Sequence, residues 1–309
     1  MGRSTAFAVL TAAILVLTGC TAGPPPAPAP EPPGPLTLRE ALGDPTTVNF
    51  CRLLDFSAIE KIQRLGSTPT PSMGACSFQA GNALVSFGFP EDRAKERLAG
   101  AAPVDEPSLP RGLRMVRSDL QGQPLLHLLF ADDSSLRVGT FLGSGETDGS
   151  PALEVAKKAA ETAGRALAGG KPVAHLAYRE GSLARLDACT ALWSDAEVSA
   201  RLGTTVSGKG DLSRHQCLWG EPDAERFVRL EFGLGPRPTA SGTAGEETLG
   251  GRKSFVQEVS GGCTVLAGHI GGPAGLEDRV EHALLAVQAP NACGIARELA
   301  AVAWPKLPA

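Results

Sequence analysis

The sequence predicts an α+β fold: two tandem copies of an antiparallel sheet flanked by helices and stapled by disulfides. Three observations predict it. One series of local signals occurs twice along the 309 residues: Cys, capped helix, Leu-Gly, Cys with an aromatic two residues on, strand, hairpin, closing helix. Strand-like and helix-like runs are grouped rather than alternating singly, which points away from a parallel βαβ sheet. The cysteines of the series fall in neighbouring pairs. The copies are expected over 37–171, the more degenerate, and 172–309.

In chain order, Arg3 precedes the uncharged apolar run Ala6 to Leu17, which ends in Leu17-Thr18-Gly19-Cys20. These are the parts of an export signal. At about a dozen residues, the run is shorter than the roughly 20 that a spanning helix needs. Its last four residues resemble the lipobox of bacterial lipoproteins. That resemblance implies removal of a signal peptide at 1–19, diacylglycerol on the Cys20 sulfur and a further acyl chain on the new amino group. Two or more acyl chains anchor a protein stably. The expected address is the extracytoplasmic face of the cell membrane, with the membrane as partner through the anchor. A tether then covers 20–36, where Thr21 to Pro35 is mostly Pro and Ala with Glu31 as its one charge. Such a segment extends at about 3.1 Å per residue and reaches roughly 40 to 50 Å.

In the first copy, Asn49-Phe50-Cys51 leads into Ser57-Ala58-Ile59-Glu60; in the second, Asp187-Ala188-Cys189 leads into Ser194-Asp195-Ala196-Glu197. Both tetrapeptides read as capping boxes, the Ser oxygen taking a free N–H and the Glu reaching back. Each helix is expected to stop at Leu-Gly, Leu65-Gly66 and Leu202-Gly203. Cys76-Ser77-Phe78 and Cys217-Leu218-Trp219 follow, each aromatic on the same side of a strand as its Cys. Strands are expected over Leu84 to Phe89 and Phe227 to Phe232. Two hairpins come next: Pro124 to Phe130 with Leu136 to Leu142, turning at Asp132-Asp133, and Ser254 to Val259 with Cys263 to Ile270, turning at Gly261-Gly262.

Ser150-Pro151 opens the closing helix of the first copy, with Leu153, Ala156, Ala160, Ala163 and Leu167 on one face and Gly169-Gly170 as its end. Asn291 opens that of the second, with Ile295, Leu299 and Val302 as its stripe. Leu276 to Val287 reads as an additional amphipathic helix, with His282 on its polar face. Lys171-Pro172 to Leu186 is ambiguous and joins the copies.

Besides Cys20 there are six cysteines, an even number in an exported chain, which indicates disulfides. The repeat favours Cys51–Cys76, Cys189–Cys217 and Cys263–Cys293, the third tying the hairpin to the final helix. Each closes a loop worth roughly 3 to 4 kcal/mol in the chain-entropy model. In the first copy Leu136 stands near the Cys263 position. A zinc site is the rival reading, but no Cys-x-x-Cys or His-x-x-x-His spacing supports it. The formal charge is −4. No basic stripe with interleaved aromatics exists, so nucleic acid is not a natural partner.

The order Cys, short capped helix, Leu-Gly, Cys with a nearby aromatic, late strand Cys and Cys in the last helix resembles a family of actinobacterial lipoproteins. Their shared module is a domain of unknown function. The ending Asn291-Ala292-Cys293-Gly294-Ile295-Ala296-Arg297-Glu298-Leu299-Ala300 with Trp304-Pro305-Lys306-Leu307-Pro308 looks like that family's ending. The module is also distantly similar to extracellular sensor domains of mycobacterial receptor-type Ser/Thr kinases. The likeness is best over Asp187 to Pro308; the first copy lacks the last Cys pair. It implies an envelope location and a disulfide-bonded α+β fold, and no established activity.

Candidate chemistry is sparse. Of the five histidines, His127 reads as a strand histidine with a satisfied partner, His175 sits in the ambiguous joining stretch, His215 in the loop before Cys217 and His282 on a helix face. His269, before Gly271-Gly272, comes nearest to a general base, which would need a nucleophile and an orienting group. Gly143-Ser144-Gly145-Glu146 lacks the Lys-Ser/Thr of a P-loop and reads as a linker. Asp132-Asp133 reads as a turn, and Trp193 and Trp219 as packing on neighbouring disulfides. No cofactor, metal site or catalytic residue is expected.

The leading expectation is a non-catalytic binding or sensing module for a small molecule or envelope component. An accessory envelope protein that binds another protein is second, and a hydrolase third. A concave apolar pocket favours the first, an exposed apolar patch the second, and a His about 3 Å from a Ser inside a cleft the third.

Overall fold

Alternating burial marks the strands. Along the last strand of the second copy, Ala283, Leu285 and Val287 are buried while His282, Leu284 and Ala286 are half-buried, a period of two that a sheet satisfies and a helix does not. The computed structural model describes residues 33–309 except 93, 106, 121–122, 143–149, 222–224, 241 and 243. The expectations for the signal peptide, the Cys20 lipobox, most of the tether and Gly143-Ser144-Gly145-Glu146 lie outside the described residues. Gly34–Ala309 forms one compact unit.

Each copy builds one seven-stranded antiparallel sheet. The first uses β1 (Thr70–Ser72), β2 (Ala75–Ala80), β3 (Ala83–Glu91), β4 (Ala102–Val104), β5 (Arg114–Leu120), β6 (Gln123–Leu129) and β7 (Ser135–Leu142), in the order β1-β2-β3-β7-β6-β5-β4. The second uses β8 (Gly208–Gly210), β9 (Gln216–Trp219), β10 (Phe227–Gly235), β11 (Gly245–Leu249), β12 (Arg252–Val259), β13 (Gly262–Gly271) and β14 (Val280–Gln288), in the order β8-β9-β10-β14-β13-β12-β11. The two orders are the same, strand for strand. The helices are α1 (Leu38–Leu42), α2 (Phe56–Glu60), α3 (Ala94–Arg97), α4 (Ser150–Ala168), α5 (Asp195–Leu202) and α6 (Ala292–Ala303). Val155, Ala159 and Ala163 of α4 seal the first core, and Ala296, Leu299 and Ala303 of α6 the second. Small alanines let each helix lie close to its sheet. On the face of the first sheet away from α4, Val116, Leu125, His127 and Leu129 are buried while Leu84 and Phe141 are exposed. Among the described residues, no helix is long and apolar enough to cross a membrane.

The disulfides join Cys51 to Cys76, Cys189 to Cys217 and Cys263 to Cys293, with Cα–Cα separations of 4.9, 5.0 and 5.0 Å. The first two tie the region before the short helix to the second strand of each sheet, and the third ties β13 to α6.

Several expectations are corrected. Leu276 to Val287 is no helix: from Val280 it is β14, the middle strand of its sheet, and His282 lies on that strand. Leu284 and Ala286 on its half-buried face are apolar too, so the run lacks polar alternation in sequence and imitates a helical stripe. The two expected hairpins are one strand out of step with each other. Cys217, Leu230, Leu285 and Val265 stand opposite one another across the second sheet, as Cys76, Phe87, Val138 and Leu126 do across the first. Cys263 therefore answers to Pro124, not Leu136.

The box at Ser194 and Glu197 forms, and its helix ends at Gly203 with φ 67°. The box at Ser57 and Glu60 does not, because Asp55 caps α2 instead and takes both the Ala58 N–H and the Ser57 hydroxyl. That helix ends at Glu60, and Leu65 instead bridges to Ala80. Asn291 precedes α6 at φ 60° without a side-chain capping bond. Lys171 to Leu186 forms no strand beyond a bridge of His175 to Val48, then one 3-10 turn at Leu183–Arg185.

Candidate functional site

The chain breaks its own regularity at the end of β3. Its ladder with β7 shifts between Gly88 and Glu91. Gly88 has φ 138° and Phe89 φ 50°. A Cβ on Gly88 would lie 2.4 Å from the Gly74 carbonyl oxygen, so only glycine lets the β1–β2 turn approach this near. A left-handed Phe costs on the order of 1–3 kcal/mol and persists only where its surroundings hold it. Here its N–H donates to the Gly74 oxygen at 2.7 Å, and the Arg137 guanidinium lies 4.8 Å from its ring centre.

The bulge aims Glu91 across the outer face of the sheet. Its carboxylate accepts from Arg137 at 3.4 Å and lies 4.0 Å from His127 Nδ1. His127 Nε2 is 2.9 Å from Ser118 Oγ. Ser118, His127 and Glu91 thus stand in line, an arrangement the sequence reading missed except for the histidine. Its geometry does not suit nucleophilic attack. His127 is 2% exposed, and 4.0 Å is beyond hydrogen-bond range for the orienting carboxylate. Ser118 lies inside β5 opposite Leu125.

The same bulge is half of a joint between the sheets. At the tip of the β8–β9 turn, the Leu212 N–H donates to the Pro90 oxygen at 2.8 Å, and its side chain packs on the first core. In return, Met73 at the tip of the β1–β2 turn enters the second core, and Ser72 Oγ accepts from the Leu234 N–H at 3.3 Å. The copies exchange hairpin tips. Asp211 shapes the second tip: its carboxylate accepts from the N–H groups of His215 and Gln216 at 3.0 and 3.2 Å and from the Ser213 hydroxyl. Part of Asp211 reaches solvent, yet its carboxyl is packed round by protein. That burial, with the charge of Glu91 adding to it, pushes the group up to about 6 against the pull of its hydrogen bonds.

The remaining histidines are structural. His215 donates to the Ala184 oxygen at 3.3 Å, and burial pushes it down to about 4. His269 bridges the Gly181 oxygen at 2.8 Å and Arg252 at 3.1 Å; burial, and to a lesser degree Arg252, lowers its pKa. Arg252 also donates to the carbonyls of Trp304, Leu307 and Pro308, fastening the last residues. His282 lies against bare backbone at Gly233 and Gly235, and burial lowers it. His175 meets Thr47 Oγ1 at 2.8 Å. Trp193 and Trp219 pack edge-to-face at 5.8 Å, their N–H groups donating to Leu299 O and Asp195 Oδ1. Asp132 and Asp133 form the β6–β7 turn, where Asp133 has φ 63°. Among the described residues, no group of His, Cys, Asp and Glu is arranged to hold a metal ion.

Among the described residues, hollows of about 440 and 520 Å³ lie beside Trp193 and Lys306 and beside Arg185 and Pro308. A hollow of about 370 Å³ lies between α1 and the end of α4, but Leu36, Leu42 and Leu167 in its lining are almost wholly buried and leave its accessible wall to Glu40, Arg111, Lys171 and His175. The exposed apolar surface is elsewhere. Leu84 on β3 and Phe141 on β7 stand directly opposite each other on the outer face of the first sheet, 48% and 51% exposed. The equivalent pair in the second sheet is Phe227 and Gln288.

No family model and no curated protein matches the chain. Among solved structures, it is similar to a chain of the Pseudomonas aeruginosa MucA/MucB complex, with 11% identity, 81% of this chain and 67% of that one covered, and a TM-score of 0.15. It is similar at 12% identity to DynU16, a putative protein in the dynemicin biosynthetic locus, over 87% of this chain and 91% of that one with a TM-score of 0.16. Neither likeness is strong enough to carry an argument.

Proposed function

We propose that this chain is a lipid-anchored extracytoplasmic protein acting as a non-catalytic binding or sensing module, and that an envelope component docks on the outer face of its first sheet. The observation that carries the reading is the exposed pair Leu84 and Phe141. Two half-exposed apolar side chains, directly paired across neighbouring strands, offer contact surface to a partner. Gln288 stands in place of Phe141 in the second copy, so the feature belongs to one copy and not to the fold. Three disulfides favour an oxidising compartment, and Cys20 in its lipobox-like setting supplies the anchor.

The alternative, an accessory protein that binds another protein, uses the same face. A photo-crosslinking residue at position 141, with position 288 as control, tests both in intact cells. Adducts at 141 and none at 288 support the docking face, and their chemistry tells a glycan or lipid from a protein. Equal yields at the two positions refute it. The anchor is tested separately: labelled fatty acid should enter the wild type and not Cys20→Ala.

A further inference from the structure

We infer that the exposed end of the first sheet docks on the phospholipid surface of the membrane that holds the chain's own anchor. Ile62, Leu84 and Phe141 enter the boundary between headgroups and acyl chains, and Lys61 and Arg64 meet the phosphates. The inference rests on the docking reading above and names its partner.

Among the described residues, four large apolar side chains are exposed: Ile62, Leu84, Phe141 and Val259, at 38, 48, 51 and 41%. The first three share one end of the first sheet. The Gly81 N–H donates to the Arg64 oxygen at 3.1 Å, the Gly66 N–H donates to the Gln79 oxygen at 2.9 Å, and Leu65 bridges Ala80. Residues 64–66 therefore run along β2 beside the β2–β3 turn, and Ile62 lies just before them. On the following strands Gln79 stands opposite Leu84, and Leu84 opposite Phe141. Three strand spacings, about 15 Å, span the group. Lys61 and Arg64 are exposed in the same run, with Glu60 as the one exposed carboxylate beside them.

Size and chemistry favour lipid over protein as the occupant. Val116, Leu125 and Leu129 on the same face are buried, so the apolar surface is a tip and not a broad face. Three side chains near half exposure offer on the order of 200–300 Å². Each partner in a stable protein interface brings roughly 800 Å². A few apolar side chains beside cations suit a phospholipid surface, where the chains take the former and the phosphates the latter.

The point where the tether joins the fold puts that surface within reach. The Leu36 N–H donates to the Arg111 oxygen and the Leu36 oxygen accepts from the Ala131 N–H, both at 2.9 Å, so the chain enters beside the β6–β7 turn. From that turn β7 carries Phe141 to the far end, roughly 20 Å away at the rise of a strand. The tether expected over 20–36 extends roughly 40 Å. It is long enough for the tip to meet the membrane of the anchor, and it keeps that surface at a high effective concentration.

The test is flotation of the compact unit, residues 34–309, on vesicles of phosphatidylcholine and phosphatidylglycerol in equal parts and on vesicles of phosphatidylcholine alone. Hydrogen exchange with and without vesicles locates the contact. The wild type should float with the mixed vesicles and gain protection in the 61–66 run and the β2–β3 turn, not beside Val259. Phe141→Gln should weaken binding by at least about tenfold through the apolar area withdrawn. Lys61→Gln/Arg64→Gln should weaken it about tenfold on mixed vesicles and little on phosphatidylcholine. Leu84→Gln serves should Phe141→Gln fail to fold. A wild type that does not float, undiminished flotation of Phe141→Gln and Leu84→Gln, or protection confined to the surroundings of Val259 overturns the inference. Protein adducts from position 141 in cells, with no flotation, remove the lipid partner and leave the docking reading standing. Equal adducts from 141 and 288 remove both.

Discussion

Replacing Met73 with alanine should loosen the sheet to which Met73 does not belong. By sequence Met73 sits at the tip of a first-copy hairpin; by packing it is 4% exposed within the second core. Truncating a buried Met costs about 2–5 kcal/mol, the higher figures arising where the surroundings cannot close on the cavity. A hairpin tip can shift, so the expected loss lies near the lower end, about 2–3 kcal/mol. That is roughly a 30- to 150-fold rise in opening. The assay is urea unfolding together with hydrogen exchange of β9, β10 and α6, compared with β6, β7 and α4. Exchange should quicken first in the former group. The mirror substitution, Leu212→Ala, should quicken the latter, by less, since Leu212 is only partly buried. If Met73→Ala quickens α4 and β6 alone, or costs under about 0.5 kcal/mol, the exchange of tips does not hold the halves together.

Three further outcomes are expected. Gly233→Ala should destabilise by about 1–3 kcal/mol through overpacking, because its Cβ would lie 2.5 Å from His282 Nε2; His282→Ala in the same chain should recover most of the loss in thermal melts. The double variant Cys263→Ala/Cys293→Ala opens a loop with a sequence separation of 30, worth about 4 kcal/mol by chain entropy, and should raise exchange in β13 and α6 without disturbing α4. His215, pushed down to about 4 from 6.5, contributes stability that is full above its ordinary value and is lost as pH falls from there toward 4; His215→Gln should show a smaller drop in urea midpoint over that range than wild type.

The short-range chemistry of the fold is readable from the sequence. Cys76 with Phe78, and Cys217 with Trp219, face one core because residues two apart share a strand face, and that pattern survives divergence. The box at Ser194 and Glu197 is equally local. The failures lie where a local signal has a stronger neighbour or a distant partner. Asp55, two residues upstream, displaces Ser57 as cap. β14 looks helical because apolar residues stand on both its faces. β4, β8 and β11 are short edge strands whose sequences carry little apolar alternation. Asp211 and Glu91 are far apart in sequence, and nothing in either neighbourhood announces the other. One signal was available: Gly88 and Pro90 inside a strand pattern mark a bulge, and from the bulge Glu91 and Arg137 follow.

Comparing the copies position by position shows where regularity was given up. The β10–β14 ladder runs unbroken from Phe227 to Gly235, whereas its counterpart β3–β7 breaks at Gly88, strains Phe89 and turns a carboxylate toward the joint. The second copy carries two disulfides and the first carries one. Exposed Leu84 and Phe141 are also on the first. Sequences tend to break local rules where a site requires it and to keep them elsewhere. The second sheet has a shift of its own, between Gly268 and Gly271 of β13, so the paired Leu84 and Phe141 rather than the bulge make the first sheet the place where binding is expected. Transplanting the second copy's solution tests the asymmetry: Phe141→Gln should leave stability within about 0.5 kcal/mol, as for other exposed positions, while abolishing crosslinks from a probe at the adjacent Leu84. A variant that keeps its crosslinks would remove the first sheet from consideration as the docking face.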